Sequence, residues 1–211
     1  IPGLQRTASG RQPPRERFID VAGELDKRGA PQFDVGIQAH EPRDEWFAPE
    51  DVWAACDAFQ KLGRRVHMTE FIPQSSGKAI TGRWRTGAWT EEAQADFAEQ
   101  FLRLSFGHPA VVSVNFWGLS DANIWLPGGG LVDKEYRPKP IYERIRRLIR
   151  QEWMTRNLSL RTGEGGRVKF RGFYGAYRVR VSAAGLPETV FDLNLAKEGP
   201  STFQLRLDRK P

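Results

Sequence analysis

The alternation of strand-like and helix-like stretches over residues 14–153 constrains this chain more than any other feature. Short apolar runs that suit buried strands lie at Phe33–Ala39, Val66–Phe71 and Ala110–Trp117. Between them, apolar residues recur at helical spacing. Pro14 opens a first helix to about Arg28, with Phe18, Val21, Ala22 and Leu25 on one face and Gly29 as its stop. Pro49, Glu50 and Asp51 open a second; Val52, Trp53, Cys56, Phe59 and Leu62 form its buried stripe, and Gly63 ends it. Thr90 caps a third to about Phe106, with Glu91 and Glu92 in the first turn and Phe97, Phe101 and Leu104 inward. An arginine-rich helix from about Lys139 to Trp153 closes the series. Strands spaced by helices in this way run parallel, joined by helical crossovers.

In such folds the active groups gather where strands run out into the following helices. His40, Glu70 and Trp117 each stand at that end of their strand. Glu70 is the most informative, because a carboxylate among apolar neighbours is costly unless partners or chemistry hold it. Singly, each of the three reads as an ordinary loop or core residue. Together, an imidazole, a carboxylate and an indole on one face of three strands point to a site. The long stretch Pro73–Trp89, rich in Gly, Ser and Thr and carrying Trp84 and Trp89, is expected to be a functional wall.

After Trp153 the period changes from helical to two. Tyr177, Val179 and Val181, then Phe191, Leu193 and Leu195, then Phe203, Leu205 and Leu207 alternate with polar residues. Gly185–Pro187 and Gly199–Pro200 lie in the gaps. A small antiparallel, strand-rich module is expected, too small to hold alone and so packed on the first section.

The net charge is +6. Its densest part is an amphipathic helix face, since Ile141, Ile145, Leu148 and Ile149 repeat at helical spacing with arginines between them. Zinc-finger spacing and a glycine–aromatic RNA-binding motif are both missing, so nucleic acid is set aside as a partner. No apolar run is long enough to span a membrane. Cys56 is the only cysteine, which excludes intramolecular disulfides and a cysteine zinc site. His40, His67 and His108 lack metal-ligand spacing, and neither metal nor cofactor is expected. The chain starts at Ile1 without a methionine, which reads as processing or cutting.

Four motifs in order, Gly36–His40, His67–Glu70, Asn115–Asp121 with Ile124–Leu126, and Lys139–Tyr142, resemble glycoside hydrolase family 10 from about Glu16 to Thr155. Gly172–Tyr177 resembles the strand-rich tail of plant-type and some bacterial members. The family consists mainly of retaining endo-β-1,4-xylanases on a (β/α)8 barrel. The resemblance implies an α/β fold: the C-terminal portion of a TIM barrel, about strands 6–8, followed by a small antiparallel β module. It divides the chain into an N-terminal loop and barrel helix (1–32), barrel (33–155) and β-rich module (156–211).

By this resemblance Glu70 is the nucleophile at the end of strand 7, and His40 the strand 6 histidine that hydrogen-bonds it. Gln38 lies two residues earlier on the same strand face. Trp117 and Trp125 line the sugar sites, with Trp84 added from the long loop, and Asp121 is an acidic position supporting the site. The implied partner is β-1,4-xylan or xylo-oligosaccharide, and the implied location secreted or periplasmic. The chain departs from the pattern twice. Glu70–Phe71–Ile72 stands where the family often has Glu-Leu-Asp. The family's acid/base glutamate, in an Asn-Glu pair after strand 4, is absent along with strands 1–5. The expectation is therefore an endo-xylanase-like hydrolase that needs a missing N-terminal barrel half, in the same or a separate chain. The alternative is a non-catalytic carbohydrate-binding or remnant protein.

Overall fold

A computed structural model describes residues 14–207 of the chain. The chain divides into two compact units between Arg147 and Leu148. The first contains α1 (Pro14–Lys27), β1 (Val35–Ile37), α2 (Pro49–Gln60), β2 (Val66–Phe71), α3 (Glu91–Gly107), β3 (Val111–Phe116) and α4 (Pro140–Arg147). The strands form a parallel sheet in the order β1-β2-β3, as helical crossovers require. Val35 pairs with Val66 and Ile37 with Met68; across the next ladder Val66 pairs with Val111 and Phe71 with Phe116. The β2–β3 ladder shifts register between Met68 and Phe71, the stretch that carries Glu70.

β1 is shorter than the apolar run Phe33–Ala39 that announces it. Ala39 adopts φ +57°, in the left-handed region, and an extended strand cannot pass through that conformation. The helices start as their sequences dictate. Thr90 Oγ1 accepts from the Ala93 N–H at 3.1 Å, and Pro49 occupies the first turn of α2. Gly63, at φ +69°, turns the chain from α2 into β2.

The core lies between the sheet and α2, α3 and α4. Val35, Val66, Met68 and Phe71 from the strands are buried, with Val52, Cys56 and Phe59 from α2, Phe97 and Phe101 from α3, and Ile141 and Ile145 from α4. Phe71 stacks on Phe101 at 4.1 Å. Phe97 is surrounded by rings: Trp46 at 5.1 Å, Trp89 at 5.3 Å, Phe47 at 5.4 Å and Phe71 at 5.9 Å. α1 attaches more lightly. Ala22 is buried, whereas Phe18, Val21 and Leu25 remain substantially exposed, with Phe18 edge-on to Phe59 at 5.7 Å. Buried Arg64 joins this helix to β2 by pairing with Asp26, and its guanidinium lies 4.3 Å from the Phe33 ring.

The second unit contains an antiparallel hairpin, β4 (Gly175–Val181) and β5 (Thr189–Leu195), paired from Gly175↔Leu195 to Val181↔Thr189. Along both strands half-buried residues alternate with exposed ones. The third alternating run, Phe203–Leu207, is not a strand, contrary to its pattern. It keeps the alternation in exposure, with Phe203, Leu205 and Leu207 half-buried, but joins no ladder. Period-two patterning reports which residues share a face, not whether a neighbouring strand offers an edge.

Two outcomes follow for stability. Phe97→Ala removes the centre of the ring cluster, and should lower unfolding free energy by about 3–5 kcal/mol in urea denaturation. Glu99 of α3 accepts from Arg103 at 2.7 Å, Arg144 at 2.7 Å and Arg147 at 3.1 Å. Burial pushes its pKa up, but hydrogen bonds from Arg144 and Arg103 outweigh this and hold it below the usual 4.5. Its stabilisation is therefore present above pH 4.5 and lost as pH falls through the lower folded value. Glu99→Gln should cost about 1 kcal/mol at neutral pH. The variant and parent unfolding curves should converge as acid protonates the parent.

Candidate active site

Glu70 sits at the carboxyl end of β2, and each of its oxygens faces a nitrogen from the β1 side. Gln38 Nε2 donates to Oε1 at 3.3 Å, and His40 Nε2 lies 3.3 Å from Oε2. Gln38 and His40 flank left-handed Ala39, so the break that ends β1 delivers both neighbours to one carboxylate. That backbone costs roughly 1–2 kcal/mol for a non-glycine residue, and the buried Ala39 side chain holds it in place. His40 Nδ1 is buried without a hydrogen-bond partner, and the nearest acid, Glu41, is 3.8 Å away.

Aromatic residues from β3 and its following loop stand beside this group. The Trp117 N–H donates to Phe71 O at 3.1 Å, which places Trp117 alongside the residue after Glu70. Its indole is half exposed. Trp125 meets His40 edge-on at 5.5 Å and carries the Arg43 guanidinium 4.5 Å over its ring. Arg43 is itself fixed by Glu41 Oε1 at 2.6 Å. The structure thus gathers Gln38, His40, Glu70 and Trp125 into one cluster, with Trp117 on the adjacent strand. A carboxylate set between an amide and an imidazole beside partly exposed indoles is equipped for nucleophilic attack on a sugar or for holding one.

Three other residues lie elsewhere or act otherwise. Trp84 lines a groove with α3 and α4 residues, including Asp96 and Arg144, and that groove shares no residue with the Glu70 cluster. Trp89 is not a wall but core. It is 1% exposed, stacks on Trp46 at 5.4 Å and donates from Nε1 to Asp44 O at 2.9 Å. Asp121 uses both oxygens inside its own surroundings: Oδ1 accepts from the Gly130 N–H at 2.6 Å and Oδ2 pairs with Lys139 at 3.1 Å. It shapes the glycine-rich loop rather than facing an open cleft.

Sequence reasoning missed the side chains that hold the loops. Lys139 is buried, and its ammonium donates to Ser75 Oγ at 3.1 Å, Asp121 Oδ2 at 3.1 Å and Gly128 O at 2.9 Å. Gln94 Nε2 bonds Pro73 O and Gly128 O, each at 2.8 Å. Gln74 Nε2 bonds Arg43 O at 2.8 Å and Asp44 Oδ1 at 2.6 Å. A lysine or glutamine beside a loop carries no periodic signal, and only the position of Lys139 just before Pro140 set it apart.

The other two histidines and the one cysteine make structural contacts. His67 lies between Ser113 Oγ at 2.8 Å and Asp34 Oδ2 at 3.1 Å. Arg65 also grips Asp34, and with His67 it holds that carboxyl below the usual range. This cluster is near the start of β2, the end of a parallel sheet that supports rather than reacts. His108 accepts the Ala110 N–H at Nδ1 and so donates from Nε2 to Asp57, at 3.1 Å. Burial pushes the Cys56 thiol to about 11, with the Asp57 charge adding to it, so it is no nucleophile. Among the described residues no group of His, Cys, Asp and Glu is arranged to hold a metal ion.

Known proteins are similar to this chain in sequence and in fold. The model of glycosyl hydrolase family 10 matches residues 7–148. Endo-1,4-beta-xylanase 2 of Arabidopsis thaliana is 30% identical over 169 residues, which cover 79% of this chain and 14% of the plant protein. An anti-sigma-I factor of Acetivibrio thermocellus is 32% identical over 115 residues, covering 54% of this chain and 15% of that protein. The fold is similar to that of xylanase 10B from Thermotoga petrophila RKU-1, solved in complex with xylobiose. The TM-score is 0.52 at 24% identity, over 65% of this chain and 42% of that one. The chain spans less than half the length of each of these proteins.

The Lys139 clamp has a measurable weight. Lys139→Met leaves Asp121 without its cation and should destabilise the chain by about 3 kcal/mol in denaturant unfolding. The double variant Lys139→Met/Asp121→Asn should recover part of that loss, because it removes the unpaired charge.

Proposed function

Because the chain belongs to glycosyl hydrolase family 10, we propose that it is the nucleophile-bearing part of a retaining endo-β-1,4-xylanase, with Glu70 as nucleophile. The observation that carries this reading is the pair of contacts that positions Glu70, Gln38 on one oxygen and His40 at the other. β1, β2 and β3 then correspond to strands 6, 7 and 8 of an eight-stranded barrel. The acid/base carboxyl comes from earlier strands, in the same or a separate chain, since these 211 residues contain no Asn-Glu pair.

The chemistry runs in two displacements. The Glu70 carboxylate attacks the anomeric carbon, and the bond to the departing sugar oxygen breaks as the second carboxyl group protonates it. The resulting glycosyl ester on Glu70 is then hydrolysed by water, which gives its proton to that same second group and restores the carboxylate. His40 and Gln38 keep Glu70 aimed and receptive throughout, and are positioning residues. Trp117 and Trp125 offer flat apolar faces to pyranose rings. Trp125 carries the Arg43 guanidinium over its ring and stays partly exposed. The proposed location is outside the cell or in the periplasm, where xylan or the oligosaccharides cut from it are met.

A second reading, binding without cleavage, is favoured by one observation: the Acetivibrio thermocellus relative is named an anti-sigma-I factor, not a hydrolase. A fluorinated xylobioside with a dinitrophenolate leaving group separates the two, because such a leaving group needs little acid assistance. Mass spectrometry should find one glycosyl group esterified to the peptide containing Glu70, and none in Glu70→Gln. In the assembled enzyme, Glu70→Ala should lower turnover by about 10⁴-fold or more. A label on another residue, or turnover indifferent to Glu70, overturns the assignment. Saturable xylo-oligosaccharide binding with no label establishes the second reading.

A further inference from the structure

The Trp84 groove lies apart from the Glu70 cluster and is built with some care. Trp84 is 50% exposed, and among the described residues no ring or cation covers its indole. Its two neighbours are both anchored. Arg83 donates to Glu50 at 2.7 Å and to Asp51 at 2.8 Å, on α2. Arg85 pairs with Asp96 of α3 at 3.1 Å and lies 4.4 Å over the Trp46 ring. The loop is also closed at its base, where Ala79 and Ala88 form an antiparallel bridge and the Ile80 N–H donates to Gly87 O at 2.8 Å. The exposed indole is therefore presented by a fastened loop. A single exposed indole is ordinary on a protein surface; this one is set apart by the anchored arginines on either side of it.

The rest of the lining comes from Trp46, from Asp96, Glu99, Gln100 and Arg103 of α3 and from Arg144 of α4, around an open depression of about 470 Å³. That volume is within the range of small-ligand sites. The charges are paired with one another: Arg144 with Asp96 at 3.1 Å and with Glu99 at 2.7 Å, Arg103 with Glu99 at 2.7 Å, and Arg85 with Asp96. The groove thus offers a flat apolar platform beside many hydrogen-bonding groups with little unopposed charge. That combination suits a neutral, hydroxyl-rich pyranose chain better than an ion, a nucleotide or an apolar peptide.

We propose that Trp84 is the platform of a second, non-catalytic glycan site on the outer wall between the 79–88 loop, α3 and α4, and that its ligand is an unsubstituted β-1,4-linked xylan chain. The choice of xylan rests on the functional reading above. The existence of the site rests on Trp84 and its anchors alone. In this arrangement the polymer is held at one place while a different stretch of chain reaches Glu70.

The test compares the parent with Trp84→Ala and Trp84→Tyr, each in a Glu70→Gln background so that no ligand is consumed. Retention on insoluble xylan and titration with xylohexaose are measured, with cellohexaose and mannohexaose as controls. Trp84→Ala should weaken retention on insoluble xylan roughly tenfold, and Trp84→Tyr much less, since a smaller ring still stacks. Unfolding midpoints should stay within a degree or so of the Glu70→Gln parent, because the replaced ring is half exposed. Retention indifferent to Trp84→Ala overturns the site. Retention that depends on Trp84 but prefers cellohexaose or mannohexaose overturns xylan as its ligand. Labelling of Glu70 by the fluorinated xylobioside is read in parallel on Trp84→Ala carrying native Glu70. If labelling fails in the chain with native Glu70 and Trp84 while Trp84-dependent retention persists, the catalytic reading falls and the site stands. If labelling succeeds and retention ignores Trp84, the site falls alone.

Discussion

Where a parallel sheet stops, the chain must satisfy its own carbonyl groups, and here Gln74, Gln94 and Lys139 do so for the loops after all three strands. Gln74 reaches the loop after β1 through Arg43 O and Asp44. Gln94, on α3, binds the loop after β2 at Pro73 O and the loop after β3 at Gly128 O and Gly130 O. Lys139, at the entrance to α4, joins Ser75 of one loop to Asp121 and Gly128 of the other. A buried polar group left unpaired costs about 1–3 kcal/mol, so these contacts are mutually dependent. The indole of Trp125 stands beside His40 only because the loop that carries it is pinned at Asp121, Gly128 and Gly130.

The same economy of position operates at Glu70. Neither oxygen is held by the strand that bears the residue; both are met from the end of β1, across a left-handed alanine. Strain at one backbone position is offset by the packing that encloses it, and the result is a carboxylate whose direction is set by a neighbouring strand. The three histidines show how environment, not residue type, assigns roles. His40 faces a partly exposed carboxylate, His67 bridges strands near their start, and His108 is buried as a structural linker between backbone and Asp57.

Much of the first unit was legible in the sequence, because helix and strand periodicities, Thr90, Pro49 and Gly63 act locally. The limits of β2 were readable for the same reason. Glu70, His40 and Trp117 were legible as strand-end residues, since strand ends in a parallel sheet converge on one face; Gln38 was named only through the resemblance to the family. The tryptophans were not separable by sequence. Trp84, Trp89, Trp117 and Trp125 look alike in composition, yet Trp89 fills the core, Trp84 lines an outer groove, and only the last two accompany Glu70. Which indole is buried depends on where a long loop folds back, and that depends on Gln74 and Lys139, residues without a pattern. The Phe203–Leu207 run shows the converse, a clear pattern without the neighbouring edge that would make it a strand.

The lone thiol gives this architecture a built-in clock. Cys56 sits on α2 against the sheet, 1% exposed, and burial pushes it to about 11. An alkylating reagent can reach it only when that helix parts from the strands, and the sulfur ionises readily only once water arrives. Its modification rate therefore counts how often the α2 side of the molecule opens, without any label having to be introduced.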